Sequence, residues 1–202
     1  MITVIDHGAG NLASLEGALE AFGLPFRRAA RPEAAEGLLL LPGDGHFAAA
    51  REALVDTGWW EALPELVDQG HPLLGICVGL QLLAQESEEA PGLPGLGLLP
   101  GHVRRLGPDV KVPHMGWSRA KQVDAHPAFA GAGDEAWLYF VHAYALDVTE
   151  ATVFYADHGR VFSAVAGQGR VLGFQPHPEK SGAPGRDLLR RALRWLLEKA
   201  EA

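Results

Sequence analysis

Short apolar runs alternate with longer segments of helical period through the first half of the chain. Each run has the length of a buried strand, and each segment after it repeats its apolar residues every three or four positions. The runs are 2–6, 37–41 and 71–76, and the helical segments that follow them are 12–22, 47–55 and 79–85. This alternation is typical of a parallel sheet covered by helices.

The second half of the chain has a different pattern. A stretch rich in glycine and proline, 91–101, precedes five short strand patterns, and the final segment, 186–200, places leucines on one side of a helix and arginines on the other. The strand patterns, some of which we expect to pair antiparallel, lie near 102–106, 118–123, 137–140, 152–156 and 161–165. We predict an α/β fold, a three-layer α/β/α sandwich with a mostly parallel central sheet, formed as one domain by residues 1–202.

Composition narrows the classes of function. The 202 residues are 48% hydrophobic, which is enough for one substantial core, and the formal net charge of −8 argues against binding to nucleic acid. No apolar run reaches the length of a membrane span. Cys77 is the only cysteine, so no disulfide can form within the chain, and Cys77 is either a small core residue or a working thiol. We expect a cytoplasmic protein.

Cys77 lies in the sequence Gly75-Ile76-Cys77-Val78-Gly79, at the junction of an apolar strand and a helix. A nucleophile between two glycines at such a junction is typical of a nucleophile elbow, in which strand and helix backbones approach closely. The helix N-terminus also favours negative charge on a thiol. The alternative is a buried structural cysteine.

A histidine and a carboxylate follow near the end of the chain, in Gln175-Pro176-His177-Pro178-Glu179. A residue before proline is biased towards extended backbone, and in an extended segment His177 and Glu179 lie on the same side, about 6.6 Å apart. This suits a general base and its orienting acid, and it predicts the catalytic set Cys77, His177 and Glu179. A metal site is the rival interpretation; the other histidines show no ligand spacing, so we expect no metal.

Two glycine-containing turns follow strands. The turn Leu41-Pro42-Gly43-Asp44-Gly45 lets backbone N–H groups approach a substrate, and we expect an oxyanion hole formed by the N–H groups of Gly45 and Val78, with Gly43 near the substrate. The turn at 8–13 formally matches a dinucleotide fingerprint, but the region that should provide an acidic residue reads Arg27-Arg28. We therefore expect no cofactor.

Longer motifs carry a resemblance across the full chain. The motifs occur along the chain in the same order as in the class I (triad) glutamine amidotransferases, which the sequence resembles. Within that family it resembles the glutaminase subunits of imidazole glycerol phosphate synthases. The motifs that carry this resemblance are Asp6-His7-Gly8-Ala9-Gly10-Asn11-Leu12, Gly75-Ile76-Cys77-Val78-Gly79-Leu80-Gln81, Pro113-His114-Met115-Gly116-Trp117, Tyr139-Phe140-Val141-His142-Ala143-Tyr144 and His177-Pro178-Glu179-Lys180-Ser181-Gly182.

The resemblance implies a substrate, a partner and further site residues. It implies that L-glutamine is hydrolysed to glutamate and ammonia, and that a (β/α)-barrel cyclase forms a heterodimer with the chain and uses the ammonia in histidine biosynthesis. The residues that it places around glutamine are Gln81, Glu89, His142, Ala143 and Tyr144. We place Asn11, Met115, Trp117 and Lys180 on or near the surface that binds the partner.

The sequence departs from the family pattern at a few positions. His7 stands where tyrosine is usual, and Asp44 stands where an aliphatic residue is usual; the other departures are Val78, Ser118 and Ala143. An anion at Asp44 would oppose negative charge in the oxyanion turn unless it points to solvent. A γ-glutamyl hydrolase or peptidase with the same triad, and a regulatory docking module with an idle triad, are the alternative functions.

Overall fold

Residues 1–8, 12–123 and 125–200 are described by the structure, which is a computed structural model. The helices are α1 (Leu12–Ala21), α2 (Phe47–Thr57), α3 (Trp59–Asp68), α4 (Val78–Leu83) and α5 (Gly182–Ala200). The strands are β1 (Ile2–Ile5), β2 (Phe26–Ala29), β3 (Leu38–Gly43), β4 (Leu73–Cys77), β5 (Glu86–Ser87), β6 (His102–Arg105), β7 (His114–Gln122), β8 (Glu135–His142), β9 (Tyr144–Leu146), β10 (Thr152–Asp157), β11 (Val161–Gln168) and β12 (Val171–Phe174). Short 3₁₀ turns are Pro32–Ala34, Pro127–Phe129 and Pro178–Lys180.

Nine strands form one sheet in the order β2-β1-β3-β4-β12-β11-β10-β7-β8. The strands from β2 to β12 in this order run parallel, and those from β12 to β8 pair antiparallel. The predicted α/β class is confirmed. The antiparallel part of the nine-stranded sheet is as extensive as its parallel part. A second, small sheet has the order β5-β6-β9.

The order of the parallel strands places helices on both faces of the sheet. The connection from β1 through α1 leads to β2 on one side of β1, whereas the connection from β3 through α2 and α3 leads to β4 in the opposite direction. Crossover connections between parallel strands are right-handed, so helices in connections that lead in opposite directions across the sheet cover opposite faces. Strands β3 and β4, buried on both faces, consist of apolar residues and glycine, as expected for the middle of three layers.

Several elements differ from the expectations set by hydrophobic pattern. Helix α3 is not predicted, because Pro64 lies inside it; its turn around Pro64 is nevertheless anchored by the buried Trp59 and Leu63. Strand β2 is not predicted because its central residues are two exposed arginines, which are common on an edge strand. Helix α4 ends at Leu83, two residues earlier than predicted. Among the described residues, no helix is long and apolar enough to cross a membrane.

Backbones meet without intervening side chains where β3, β4 and α4 come together. A Cβ atom on Gly75 would lie 2.7 Å from the carbonyl carbon of Gly79, and one on Gly43 would lie 2.7 Å from the amide nitrogen of Gly79. A Cβ atom on Gly79 would collide with the carbonyl oxygen of Leu41. These neighbours are backbone atoms in a sheet and a helix, so their displacement would cost substantial free energy.

We expect Gly79→Ala to lower the free energy of unfolding by about 3 kcal/mol or more, because the added methyl group meets backbone rather than a flexible side chain. Urea unfolding would measure the change. Gly17→Ala is the matched control: Gly17 is exposed in the middle of α1 with no atom close to its would-be Cβ, so this change should stabilise by up to about 1 kcal/mol. Equal stability of Gly79→Ala and the parent protein would contradict this account of the junction.

Candidate active site

Three neighbouring parallel strands bring the predicted site together. Strands β3, β4 and β12 are adjacent in the sheet, and Gly43 pairs in register with Cys77, while Phe174 pairs with Ile76. Parallel strands end at the same edge, so the segments that follow them emerge side by side. These segments carry Gly45, Val78 and His177.

Cys77 has the strained backbone of a nucleophile elbow. Its φ of 56° and ψ of −112° make it the sole residue other than glycine with positive φ in the described part of the chain. Such a conformation persists only where the surroundings enforce it, as the glycine contacts at this junction do. The Sγ atom lies 4.0 Å from the carbonyl oxygen of Val141 and 3.9 Å from Nε2 of Gln175.

His177 is hydrogen-bonded to the predicted carboxylate of the triad and lines the same cavity as Cys77. Its Nδ1 lies 2.9 Å from Oε1 of Glu179. A carboxylate can only accept, so Nδ1 carries the proton of this hydrogen bond. The expected extended arm is wrong in part: His177 is extended, but Pro178–Lys180 is a 3₁₀ turn that brings Glu179 back towards the imidazole.

Charges around His177 favour its protonated form. Burial opposes the charged imidazole, but the hydrogen bonds and negative charges of Cys77 and Glu179 outweigh burial and raise the pKa of His177 to about 9. The ring is therefore protonated at neutral pH. It can donate this proton to a leaving group, and its positive charge attracts a thiolate.

The loop that carries His177 is fixed to strand β8. The amide nitrogen of His177 donates to the carbonyl oxygen of Tyr139 at 2.9 Å. The hydroxyl of Ser181 donates to the carbonyl oxygen of His177 at 2.6 Å and accepts from the amide nitrogen of Tyr139 at 2.8 Å. Both ends of this short loop are thus held, and the imidazole has little freedom to move away from Cys77.

A cavity of about 150 Å³ opens beside Cys77 and His177. A volume of this order accepts one small organic molecule. The predicted oxyanion and substrate residues that line it are Gly45, Val78, Gln81, Glu89, His142, Ala143 and Tyr144. Gly43 lines the adjoining cavity instead.

The polar residues of this cavity also hold its walls together. Gln81 donates from Nε2 to the carbonyl oxygen of Tyr144 at 2.8 Å and to Oε1 of Gln175 at 3.2 Å. Glu89 accepts at Oε2 from the amide nitrogen of Phe47, the first residue of α2, at 2.8 Å. Glu89 is therefore half-buried at the start of a helix and is not a solvated member of the acidic run around it.

His142 also lines this cavity, and its ring is neutral. Its Nδ1 donates to the carbonyl oxygen of Tyr144 at 2.9 Å. Burial and the neighbouring His114 lower the pKa of His142 to about 3, so the ring is neutral at neutral pH. Both His142 and Gln81 thus hold the same carbonyl group, which fixes the backbone of Ala143 and Tyr144.

His7 holds the turn that is predicted to contribute to the oxyanion hole. His7, where the family usually has tyrosine, is buried, and its Nε2 donates to the carbonyl oxygen of Pro42 at 3.0 Å. Asp44 is exposed and lies on the rim of the cavity, so its carboxylate is not enclosed with the site. The neighbouring turn at 8–13, which formally matches a dinucleotide fingerprint, includes Ala9, Gly10 and Asn11, and these lie outside the described residues.

Two residues that contact Cys77 were not predicted from the sequence as part of the site. Gln175 is fully buried, and it donates to Sγ of Cys77 while it accepts from Gln81. Its position two residues before His177 on extended backbone is the signal that could have identified it. Val141, whose carbonyl oxygen faces Cys77, acts through its backbone, and a side-chain pattern gives no signal for such a contact.

The predicted partner surface is exposed where it is described. Met115 and Trp117 have 65% and 51% of their surface accessible, and Lys180 is also exposed. Met115 and Trp117 belong to the regular strand β7, in register with Val141 and Tyr139. Asn11 lies outside the described residues. Over the described ranges, no three His, Cys, Asp or Glu side chains come together as metal ligands would.

Comparison with known families identifies this arrangement. The family model of class I glutamine amidotransferases matches residues 3–194. Imidazole glycerol phosphate synthase subunit HisH of Symbiobacterium thermophilum is 40% identical over 96% of this chain and 92% of its own length. The corresponding subunits of Desulfitobacterium hafniense and Deinococcus radiodurans are 42% and 41% identical, over 99% and 96% of this chain and 97% and 94% of their own lengths.

Solved structures agree on the fold. A glutamine amidotransferase crystal structure superposes with a TM-score of 0.76 over 100% of this chain and 99% of that chain, at 23% identity. A glutamine amidotransferase of Thermotoga maritima superposes with a TM-score of 0.71 over 98% and 97%, at 18% identity. The nucleophile elbow, the histidine and carboxylate beside it and the full-length matches lead to one assignment: the chain belongs to the class I glutamine amidotransferases and, among them, to the HisH subunits of imidazole glycerol phosphate synthase.

Proposed function

We propose that this chain hydrolyses L-glutamine to glutamate and ammonia through Cys77, His177 and Glu179, and supplies the ammonia to a cyclase partner that makes imidazole glycerol phosphate. The observation that carries the proposal is the imidazole of His177, which is hydrogen-bonded to Glu179 and lines, together with Cys77, a cavity large enough for a small substrate. The family match over residues 3–194 supports one amidotransferase domain that acts as a unit.

The reaction proceeds in two halves. The Cys77 thiolate attacks the side-chain amide carbon of glutamine, and the carbonyl oxygen becomes an oxyanion. The carbon–nitrogen bond then breaks, His177 gives its proton to the departing nitrogen, and ammonia leaves a thioester on Cys77. Water, deprotonated by the now neutral His177, attacks the thioester, and the collapse of this second intermediate releases glutamate and the thiolate, with His177 protonated again.

Backbone N–H groups stabilise the oxyanion in this scheme. Val78 is the first residue of α4, and the amide nitrogens of the first helical turn have no partner within the helix. Gly45 has a φ of 78°, a conformation that glycine adopts without strain, and it lines the same cavity. We assign the N–H groups of these two residues to the oxyanion hole.

The remaining cavity residues suit the amino-acid end of glutamine. A free ammonium group needs an anionic acceptor, and Glu89 provides a half-buried carboxylate that is already held by Phe47. The Nε2 group of Gln81 is engaged by Tyr144 and Gln175, so Gln81 offers the substrate its oxygen rather than its nitrogen. The fixed backbone of Ala143 and Tyr144, with the neutral His142 behind it, closes this side.

The proposed partner is a (β/α)-barrel cyclase that forms a heterodimer with this chain in the cytoplasm. Ammonia released into bulk water at neutral pH is protonated and no longer nucleophilic, so a glutaminase that feeds a synthase benefits from a contact around the site of release. Met115 and Trp117 present exposed apolar side chains on β7, and Lys180 directly follows Glu179. Large exposed apolar side chains of this kind are typical of interface anchors.

Removal of the nucleophile or its base should abolish glutamine hydrolysis. We expect Cys77→Ala and His177→Ala to lower kcat/KM for glutamine at least about a thousandfold, measured as glutamate formation with the partner present. Glu179→Gln should lower it less, because the imidazole keeps its own basicity when its orienting partner is lost. Activity of either alanine variant within about tenfold of the parent would refute the assigned triad.

The proposed role in ammonia supply is tested by an external nitrogen source. With the cyclase partner, Cys77→Ala should lose synthesis from glutamine and retain synthesis from added ammonium salts, because the glutaminase step only provides nitrogen. Product formation from both sources would be measured for the parent and the variant. A variant that makes no product from ammonium would show that the two reactions are not coupled in this way.

Trp117→Ala and Lys180→Ala should weaken partner binding. We expect Trp117→Ala to raise the Kd for the cyclase at least about tenfold, because it removes an exposed aromatic anchor. Val55→Ala is the control, since Val55 is also an exposed apolar residue, 39% accessible, but lies on α2, which packs against α3 and α4. Unchanged affinity for both Trp117→Ala and Lys180→Ala, with unchanged stability, would place the interface elsewhere.

A further inference from the structure

Gln175 contacts the nucleophile from the interior of the protein. It directly follows β12, is fully buried, and its Nε2 lies 3.9 Å from Sγ of Cys77. Gln175 lines neither the cavity beside the sulfur nor the adjoining one, whereas Cys77 and His177 both line the first. The amide therefore approaches the sulfur from behind, and the side of the sulfur that faces the cavity stays open to a substrate.

Neighbouring groups determine which end of the Gln175 amide faces the sulfur. The carbonyl oxygen of Tyr144 can only accept, so the atom of Gln81 that lies 2.8 Å from it is the amide nitrogen. The same nitrogen can only donate, so the atom of Gln175 that lies 3.2 Å from it is Oε1. The end of Gln175 that faces Sγ is therefore its NH₂ group. A reversed amide would place two NH₂ groups against each other and an oxygen against the sulfur.

A donor at this position favours the ionised sulfur. The carbonyl oxygen of Val141, 4.0 Å from Sγ, can accept from a thiol but repels a thiolate. The N–H group of Gln175 has the opposite effect, because a hydrogen bond to a charged acceptor is stronger than one to a neutral acceptor. A neutral amide suits this buried position, since a second cation beside His177 would be costly to bury. An amide also keeps its protons, so proton transfer is left to His177.

We propose that Gln175 is a further catalytic residue, whose amide N–H group stabilises the Cys77 thiolate and is held in this orientation by Gln81. The proposal rests on the function proposed above and adds a donor to the reacting sulfur. The sulfur is negatively charged before it attacks the amide carbon of glutamine. It is charged again when the second intermediate collapses, because the carbon–sulfur bond breaks and its electron pair stays on the sulfur. The thioester carries no charge on sulfur, so the donor favours the two thiolate states over it.

Alkylation of Cys77 by iodoacetamide tests the proposal without glutamine. Cys77 is the only cysteine of the chain, and the thiolate is the form that reacts, so the rate reports on the charge of this sulfur. We expect Gln175→Met, which has a similar length but no donor, to lower the alkylation rate at neutral pH at least about threefold. The rate should approach that of the parent at alkaline pH, where the thiolate forms without a donor. A change that merely distorted the site would lower the rate equally at every pH.

Two further variants complete this experiment. Gln175→Asn keeps an amide but is one methylene group shorter, so it cannot reach both Gln81 and Cys77, and it should show the same pH-dependent loss. Thr152→Val is the matched control, because it also removes a buried hydrogen-bonding side chain, 2.6 Å from Ser163, but lies on β10, three strands from β4 in the sheet. Its alkylation rate should equal that of the parent.

Unchanged alkylation at neutral pH in folded Gln175→Met overturns the proposal, and Gln175→Asn decides if the methionine variant does not fold. A loss of the same size at neutral and alkaline pH, or an equal loss in Thr152→Val, also overturns it. In the complex with the cyclase, kcat for glutamine should fall in the Gln175 variants and not in Thr152→Val. A parent complex that does not hydrolyse glutamine would refute the proposed function itself, and the alkylation rates would still decide whether Gln175 stabilises the thiolate.

Discussion

The close approach of three backbones at the end of β4 is the constraint on which the rest of the site depends. Gly43, Gly75 and Gly79 leave no room for side chains between β3, β4 and α4, so the chain must turn sharply at Cys77. The turn holds the backbone of Cys77 in a strained conformation and places its side chain at the carboxyl end of β4. Without this contact, neither the sulfur nor the amide nitrogen after it would have a fixed position relative to His177.

Two histidines of the site show how the surroundings decide the charge of one residue type. Both His142 and His177 are buried, and burial alone disfavours the imidazolium in each. His177 has Glu179 and the sulfur beside it, which outweigh burial, whereas His142 faces other imidazoles and a carbonyl group and stays neutral. One ring can therefore transfer a proton, and the other serves as an uncharged wall.

Much of the site could be predicted from sequence because its residues lie at the ends of apolar runs. Cys77 follows one buried strand and the turn at Gly43 another, and parallel strands necessarily end at the same edge. The 3₁₀ turn after His177 could not be predicted, since proline favours extended backbone before it but also fits the first position of a helical turn. Gln175 and Ser181 act through hydrogen bonds that depend on tertiary placement. Helix α3 was not predicted because it contains Pro64, which disfavours the interior of a helix. The buried side chain of Trp59 stabilises the helix in spite of this proline.

Strand β8 is the last strand of a large sheet, and such an edge offers unpaired N–H and C=O groups to any other strand. At Tyr139 these groups are occupied, because the amide nitrogen of His177 and the hydroxyl of Ser181 bind them. The loop that positions the imidazole therefore also closes the edge at this point. The loop that carries the proposed triad residues therefore also protects against self-association: a change that releases it would expose a strand edge to a second copy of the chain.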